Sequence, residues 1–171
     1  TRSDLTPRDL DVMRAFASLS ADQINDRITL LLEQAQIRSS LDALIASNRL
    51  DIVYQPIFDA DTLLPKGFEA LSRFRTDPYR PPNLWFDDAA RVGMEAELEC
   101  AAIEMALTAL ATLPDHLYLS VNAGPNTVAT GVLRKVFAGH PGHRILLEVT
   151  EHAQIADDEA LLAELASLRA M

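Results

Sequence analysis

Along the first fifty residues the apolar positions recur at spacings of three and four: Val12, Phe16 and Leu19, then Ile24, Ile28, Leu31 and Ala35, then Ile37, Leu41 and Leu44. This is the period of an amphipathic helix. The stretch contains no Gly, and its one Pro is Pro7 after Thr6, which predicts a helix with Thr6 as N-cap and Pro7 at the first helical position. The stripe changes face between Leu30 and Ile37. A helix of some forty residues is ~60 Å long at 1.5 Å per residue, too long to bury both stripes against a small domain. Part of it is therefore expected to pack on another chain; a terminal helix packed only on its own domain is the alternative.

From Asp51 the pattern changes to strands. Asp51 to Phe58 alternates Ile52, Tyr54 and Pro56 against Val53, Gln55 and Ile57, and a second strand is expected over Lys66 to Arg75. The connection between them is too short for a helical crossover, so the two should pair antiparallel. A Pro-rich loop (Pro78, Pro81, Pro82) leads to a helix near Leu84, in which Trp85 and Phe86 read as core or staple residues, and a further helix spans about Glu95 to Leu113. Strand and helix then alternate: a strand over Leu117 to Asn122, a helix over Asn126 to Ala138, a strand over Arg144 to Glu148, and a helix over Asp158 to Met171. Such βα alternation implies an α/β fold with a parallel sheet or barrel.

With 171 residues, 49% apolar and 23% charged, the composition is globular and suggests one domain or a little more. The balance of 15 Lys and Arg against 25 Asp and Glu gives a net charge of -10, which disfavours nucleic-acid polymers and anionic membrane surfaces. Anionic small molecules stay admissible, because a metal ion or one placed Arg inverts the field inside a cleft. The single cysteine, Cys100, excludes a disulfide framework, fits a cytoplasmic protein and reads as a buried apolar thiol. The histidines (His116, His140, His143, His152) lack metal-ligand spacing and read as surface or turn residues. No membrane-spanning run or signal pattern is present. Starting at Thr1 and stopping inside an expected helix, the chain is expected to be part of a longer protein.

In parallel βα architecture, functional groups gather where strands end. Asn122 closes one strand before the turn Ala123-Gly124-Pro125, Glu148 closes the next, Glu151 follows one step beyond, and Glu69 interrupts a strand-like run. Two carboxylates and an amide on one rim form an all-oxygen set that favours Mg²⁺ or Mn²⁺ over zinc and suits hydrolysis of a phosphodiester. Each has a plainer alternative: a salt bridge from Glu69 to Arg73 or Arg75, a turn or cap role for Asn122, a solvated loop position for Glu148, and a first-turn helix acid for Glu151.

Several ordered strings carry a resemblance. Tyr54-Gln55-Pro56-Ile57, then Glu69-Ala70-Leu71-Ser72-Arg73-Phe74, then Phe86, Ala90 and Gly93, then Leu119-Ser120-Val121-Asn122, then Glu148-Val149-Thr150-Glu151 resemble, in order, the N-terminal half of an EAL domain, the bacterial cyclic di-GMP phosphodiesterase module. The resemblance implies a partial (β/α)8 TIM-like barrel with an antiparallel first strand, over 49–171, preceded by a long helical linker over 1–48. It implies metal-dependent hydrolysis of cyclic di-GMP to linear pGpG, with Glu69, Asn122 and Glu148 as ligands of Mg²⁺ or Mn²⁺. It further implies Arg73 on a substrate phosphate, Gln55 and Leu71 in the substrate pocket, and Glu151 organising a catalytic loop. The general base is expected beyond Met171, so these 171 residues alone should be inactive. Two positions depart from the family pattern: Gly124 where Ser is usual, and Arg91 where Glu is frequent. The segment Leu10 to Ile24 resembles the last helix of a GAF sensor domain, which implies sensor control and a homodimer through the helix and barrel. A non-catalytic cyclic di-GMP receptor and a dimerising relay module are the alternatives.

Overall fold

A computed structural model describes residues 7–47, 49–150 and 158–171. Helix α1 runs unbroken from Pro7 to Ala46, 40 residues; its expected cap, Thr6, lies outside the described residues. The face change foreseen near Leu30 is present. Leu10, Met13, Phe16, Leu19, Ile24, Ile28 and Leu31 are exposed, whereas Leu41 and Leu44 are buried. That last part of α1 joins a cluster with Leu50, Phe74, Trp85, Ala89, Val92 and Leu98. Arg38 adds a polar tie, its Nη2 donating to the Val92 carbonyl.

Strands β1 (Leu50–Phe58) and β2 (Pro65–Phe74) pair antiparallel, with Gln55 opposite Glu69. The turn between them is organised by Asp59, whose carboxylate accepts from the Asp61 and Thr62 amides and meets Lys66 Nζ at 2.6 Å. Helix α2 (Pro82–Val92) starts on Pro81-Pro82 and stops at Gly93. Its Trp85 and Phe86 each lie 5.8 Å from the Phe74 ring, so both are core residues as the sequence suggests. Helix α3 (Glu95–Leu107) tightens into a 3₁₀ turn over Thr108–Ala111.

Strand β3 (Tyr118–Ala123) and strand β4 (Ile145–Val149) complete one sheet of order β1-β2-β3-β4, in which β2, β3 and β4 are parallel. The single helix expected over Asn126 to Ala138 is instead two short ones, α4 (Pro125–Ala129) and α5 (Leu133–Phe137). The break falls at Gly131, whose φ of 74° is a left-handed conformation that no helix interior adopts. Helix α6 (Asp158–Arg169) packs Leu161 into the core.

The period-2 alternation sorts the sheet. Phe68, Ala70, Leu119, Val121, Ala123, Ile145 and Leu147 pack with Ile103, Ala106, Leu107, Val128 and Leu133 of the helices. The opposite face carries Val53 and Gln55 on β1, Glu69, Leu71 and Arg73 on β2, Ser120 and Asn122 on β3, and Leu146 and Glu148 on β4. No described helix covers that face, and Val53 and Leu146 remain 41% and 46% exposed on it.

Arg144 anchors the entry to β4. It is 6% exposed, and its guanidinium donates to the carbonyls of Leu117 (3.0 Å), Leu113 (2.9 Å), Pro114 (2.9 Å) and Leu110 (3.4 Å). Asp115, 3.3 Å away, is fully exposed. A planar fork serves these carbonyls where an ammonium cannot, so Arg144→Lys should cost about 3 kcal/mol through carbonyls left unpaired. Asp115→Ala should cost under about 1 kcal/mol; urea unfolding of the two variants checks the contrast.

Cys100 is half-buried on α3 rather than fully buried. Its thiol pKa is pushed up to about 11, first by desolvation and then by the charges of Glu104, Glu99 and Glu97. At pH 8 only about one thiol in a thousand is then ionised, so alkylation should run roughly two hundredfold slower than for a free cysteine. The rate should climb about tenfold per pH unit between pH 7 and 9; mass spectrometry of iodoacetamide-treated protein reads it directly.

Candidate active site

The uncovered face places polar groups side by side because of register. Glu69 pairs with Ser120 across β2 and β3, and Asn122 pairs with Glu148 across β3 and β4. Asn122 Nδ2 donates to Glu69 Oε1 at 3.1 Å, and Ser120 Oγ donates to Glu148 Oε1 at 2.5 Å. Gln55, opposite Glu69 on β1, extends the row. The structure thus brings Gln55, Glu69, Asn122 and Glu148 into one band across four strands.

Three of the plainer alternatives are resolved by these contacts. Glu69 meets Asn122, while Arg73 Nη1 donates to the Ser72 carbonyl at 2.8 Å and Arg75 pairs with Asp51 at 2.8 Å. The Asn122 side chain faces Glu69 and makes no cap for α4. Glu148 is exposed, yet it stands within β4 and is oriented by Ser120. Glu151 and His152 lie outside the described residues; His116, His140 and His143 are exposed as expected.

A cavity of about 440 Å³ opens between the ends of β2 and β3 and helices α2 and α3. Leu71, Arg73 and Asn122 border it from the sheet, Phe86 and Asp87 from α2, and Glu95 and Glu99 from α3. Leu71 and Arg73 are therefore one wall of a pocket whose edge is Asn122; Gln55 and Glu148 lie beside it in the sheet.

Two residues escaped the sequence reading. Ser120 is fully buried and sits two positions before Asn122, so strand alternation alone puts it on the same face. Glu99 is 8% exposed, and both its carboxylate oxygens accept from the Gly124 amide, at 3.0 and 2.9 Å. Burial pushes its pKa up, helped by the charge of Glu95, while hydrogen bonds from Thr127 and Gly124 pull the other way. Its spacing from Ala102, Ile103 and Ala106, all buried, is the helical signal that marks it as inward-facing.

The donor set suits a hard cation, being carboxylate and amide oxygen. Among the described residues no three His, Cys, Asp or Glu side chains gather to hold a metal, so such an ion would need the Asn122 amide alongside Glu69 and Glu148. With its Nδ2 turned to Glu69, that amide would offer Oδ1 to such an ion.

Comparisons with known proteins agree with this fold. The EAL enzyme Bd1971, solved with cAMP and cyclic di-GMP bound, aligns with 98% of this chain and 49% of its own at a TM-score of 0.69 and 20% identity. An EAL domain protein of Listeria monocytogenes aligns over 76% of this chain and 54% of its own, TM-score 0.63, 23% identity. The YkuI protein of Bacillus subtilis, with an EAL domain in complex with substrate cyclic di-GMP and calcium, aligns over 76% and 35%, TM-score 0.61, at 28% identity. A curated protein of Azorhizobium caulinodans without an assigned function is 29% identical over 142 residues, 73% of this chain and 19% of that protein. The chain thus spans about half the length of Bd1971 and about a fifth of the Azorhizobium protein. Since the EAL domain model matches residues 14–171, and the strand order, the antiparallel first strand and the TM-scores are those of a partial EAL barrel, this chain belongs to the EAL domain family.

Proposed function

We propose that the protein hydrolyses cyclic di-GMP to linear pGpG in a metal-dependent reaction, and that residues 49–171 supply the N-terminal half of the domain responsible. The observation that carries this reading is the band Glu69, Asn122, Ser120 and Glu148, in register across three strands, whose Asn122 stands on the edge of a cavity of about 440 Å³ that Arg73 also lines. YkuI, 28% identical, holds cyclic di-GMP with calcium, a hard oxygen-seeking cation like Mg²⁺ and Mn²⁺. On this reading Glu69, Asn122 and Glu148 hold Mg²⁺ or Mn²⁺, and Ser120 fixes the carboxylate of Glu148. An ion bound there neutralises charge on the phosphate oxygens and makes a water nucleophilic near neutral pH. Arg73 orients a phosphate by paired N–H donation, Gln55 and Leu71 contact the nucleotide, and Glu151 organises a neighbouring loop. Side chains from the rest of the domain would cover Val53 and Leu146 on the open face.

The remaining features belong to the same reading. Among the described residues no helix is long and apolar enough to cross a membrane; on this reading the reaction is cytoplasmic. Residues 1–48 act as the linker from a GAF-type sensor and carry a homodimer contact. That contact is supported by the stripe Ala21, Ile24, Ile28, Leu31 and Ala35, spaced three and four apart and exposed on α1, which is coiled-coil spacing.

Product chromatography of cyclic di-GMP incubated with the full-length protein and Mn²⁺ tests the chemistry. We expect pGpG, its loss in Glu69→Ala, and in Arg73→Ala a KM raised by roughly tenfold or more. Bound but unhydrolysed nucleotide would instead make the protein a receptor. Sedimentation tests the helix: the wild-type chain should be a dimer and Ile28→Asp a monomer, whereas a wild-type monomer would remove the relay role.

A further inference from the structure

Glu99 is the most deeply buried carboxylate among the described residues, and no metal role is assigned to it. A carboxylate taken out of water costs several kcal/mol unless its lone pairs are satisfied, and no Lys, Arg or His among the described residues forms an ion pair with it. Besides the Thr127 hydroxyl it holds one backbone group: both oxygens converge on the Gly124 amide. That amide opens the turn two residues after Asn122. The same turn is pinned elsewhere by main chain alone, Ala123 O accepting from Thr150 N at 3.1 Å and Gly124 O from Val128 N at 3.1 Å. Glu99 is thus the side chain that ties the end of β3 to the helix layer.

A side chain at position 124 would crowd this contact. A Cβ at position 124 would stand 2.6 Å from Glu95 Oε1 and 3.1 Å from Glu99 Oε1. The backbone there, φ -70° and ψ 151°, is open to any residue, so the constraint is the nearness of the two carboxylates.

We infer that Glu99 is a positioning residue for the candidate site: by clamping the Gly124 amide it fixes where β3 ends and so aims the Asn122 amide at Glu69. This rests on the cyclic di-GMP reading for its functional consequence and on geometry alone for its structural one. The strand end is the lever, because Asn122 must keep a 3.1 Å contact to a residue on another strand.

Two substitutions separate positioning from packing. Glu99→Gln keeps the shape and a carbonyl acceptor for Gly124; Glu99→Leu keeps the bulk and removes the acceptor. In the metal-free chain, NMR should show the Gly124 amide of the Leu variant exchanging with solvent roughly tenfold faster or more, with a displaced Asn122 side-chain amide signal, while the Gln variant stays close to wild type. In the full-length protein the Leu variant should need ten- to a hundredfold more Mn²⁺ (an order-of-magnitude expectation, roughly that of losing an orienting partner) and show a lower kcat with KM for cyclic di-GMP unchanged. If the Leu variant does not fold, Glu99→Asp, shorter by a methylene, should shift the same signals to a lesser extent. An unmoved Asn122 amide in the Leu variant, or in the Asp variant where it replaces it, would overturn the inference. A wild-type protein without turnover would overturn the phosphodiesterase reading instead, and the metal-free spectra would still decide the role of Glu99.

Discussion

The parallel register of β2, β3 and β4 is the constraint on which the candidate site depends. Glu69 stands opposite Ser120 and Asn122 opposite Glu148, and because side chains alternate faces, a slip of one residue in any strand would send its polar group into the helix layer. Burial guards against that slip. Leu119 and Val121, flanking Ser120, are 0% and 1% exposed, so moving β3 by one position would expose two fully buried aliphatic residues and bury an amide, at several kcal/mol. The hydrophobic alternation that makes the fold thereby also sets which polar atoms meet.

Much of this was legible in the sequence for the same reason. Period-2 patterning in Ile52 to Phe58 and in the strand ending at Asn122, and the short connection after Phe58, determine the strands and the antiparallel first pair. Helical periodicity determines α1 and its change of face. What escaped depended on contacts between elements distant in the chain. Glu95, Glu97, Glu99 and Glu104 look alike as acids of one helix, yet only Glu99 meets the Gly124 amide, 25 residues away. The split of the expected helix into α4 and α5 follows from Gly131, a breaker that the helix expected over Asn126 to Ala138 runs through. Glu69 shows the converse: its strand position suggested an ion pair with Arg73 or Arg75, and the fold gave it a partner on β3.

The long helix and the site share one packing unit. Leu41 and Leu44 of α1 sit with Phe74 at the end of β2 and with Trp85 and Ala89 of α2. Phe86 and Ala90 on the same α2, and Leu71 and Arg73 on the same β2, border the cavity. The cavity wall and the base of α1 are thus two faces of α2 and β2. On the proposed reading, this continuity is what would let the exposed part of α1 act on the cavity.

Electrostatics then bears on how such a cavity can take an anion. Among its described lining residues Asp87, Glu95 and Glu99 face a single cation, Arg73, in a chain of net charge -10, and Glu69 and Glu148 add carboxylates beside it. A cyclic dinucleotide with two phosphates would meet repulsion there at close range, where solvent screens poorly. Arg73 offsets one of these five negative charges, and on the proposed chemistry a divalent cation among Glu69, Asn122 and Glu148 would offset two more, cutting the excess to about two. On the proposed chemistry, nucleotide and cation must therefore strengthen one another's binding, since each relieves the field that the other opposes, and by linkage the coupling is the same whichever binds first.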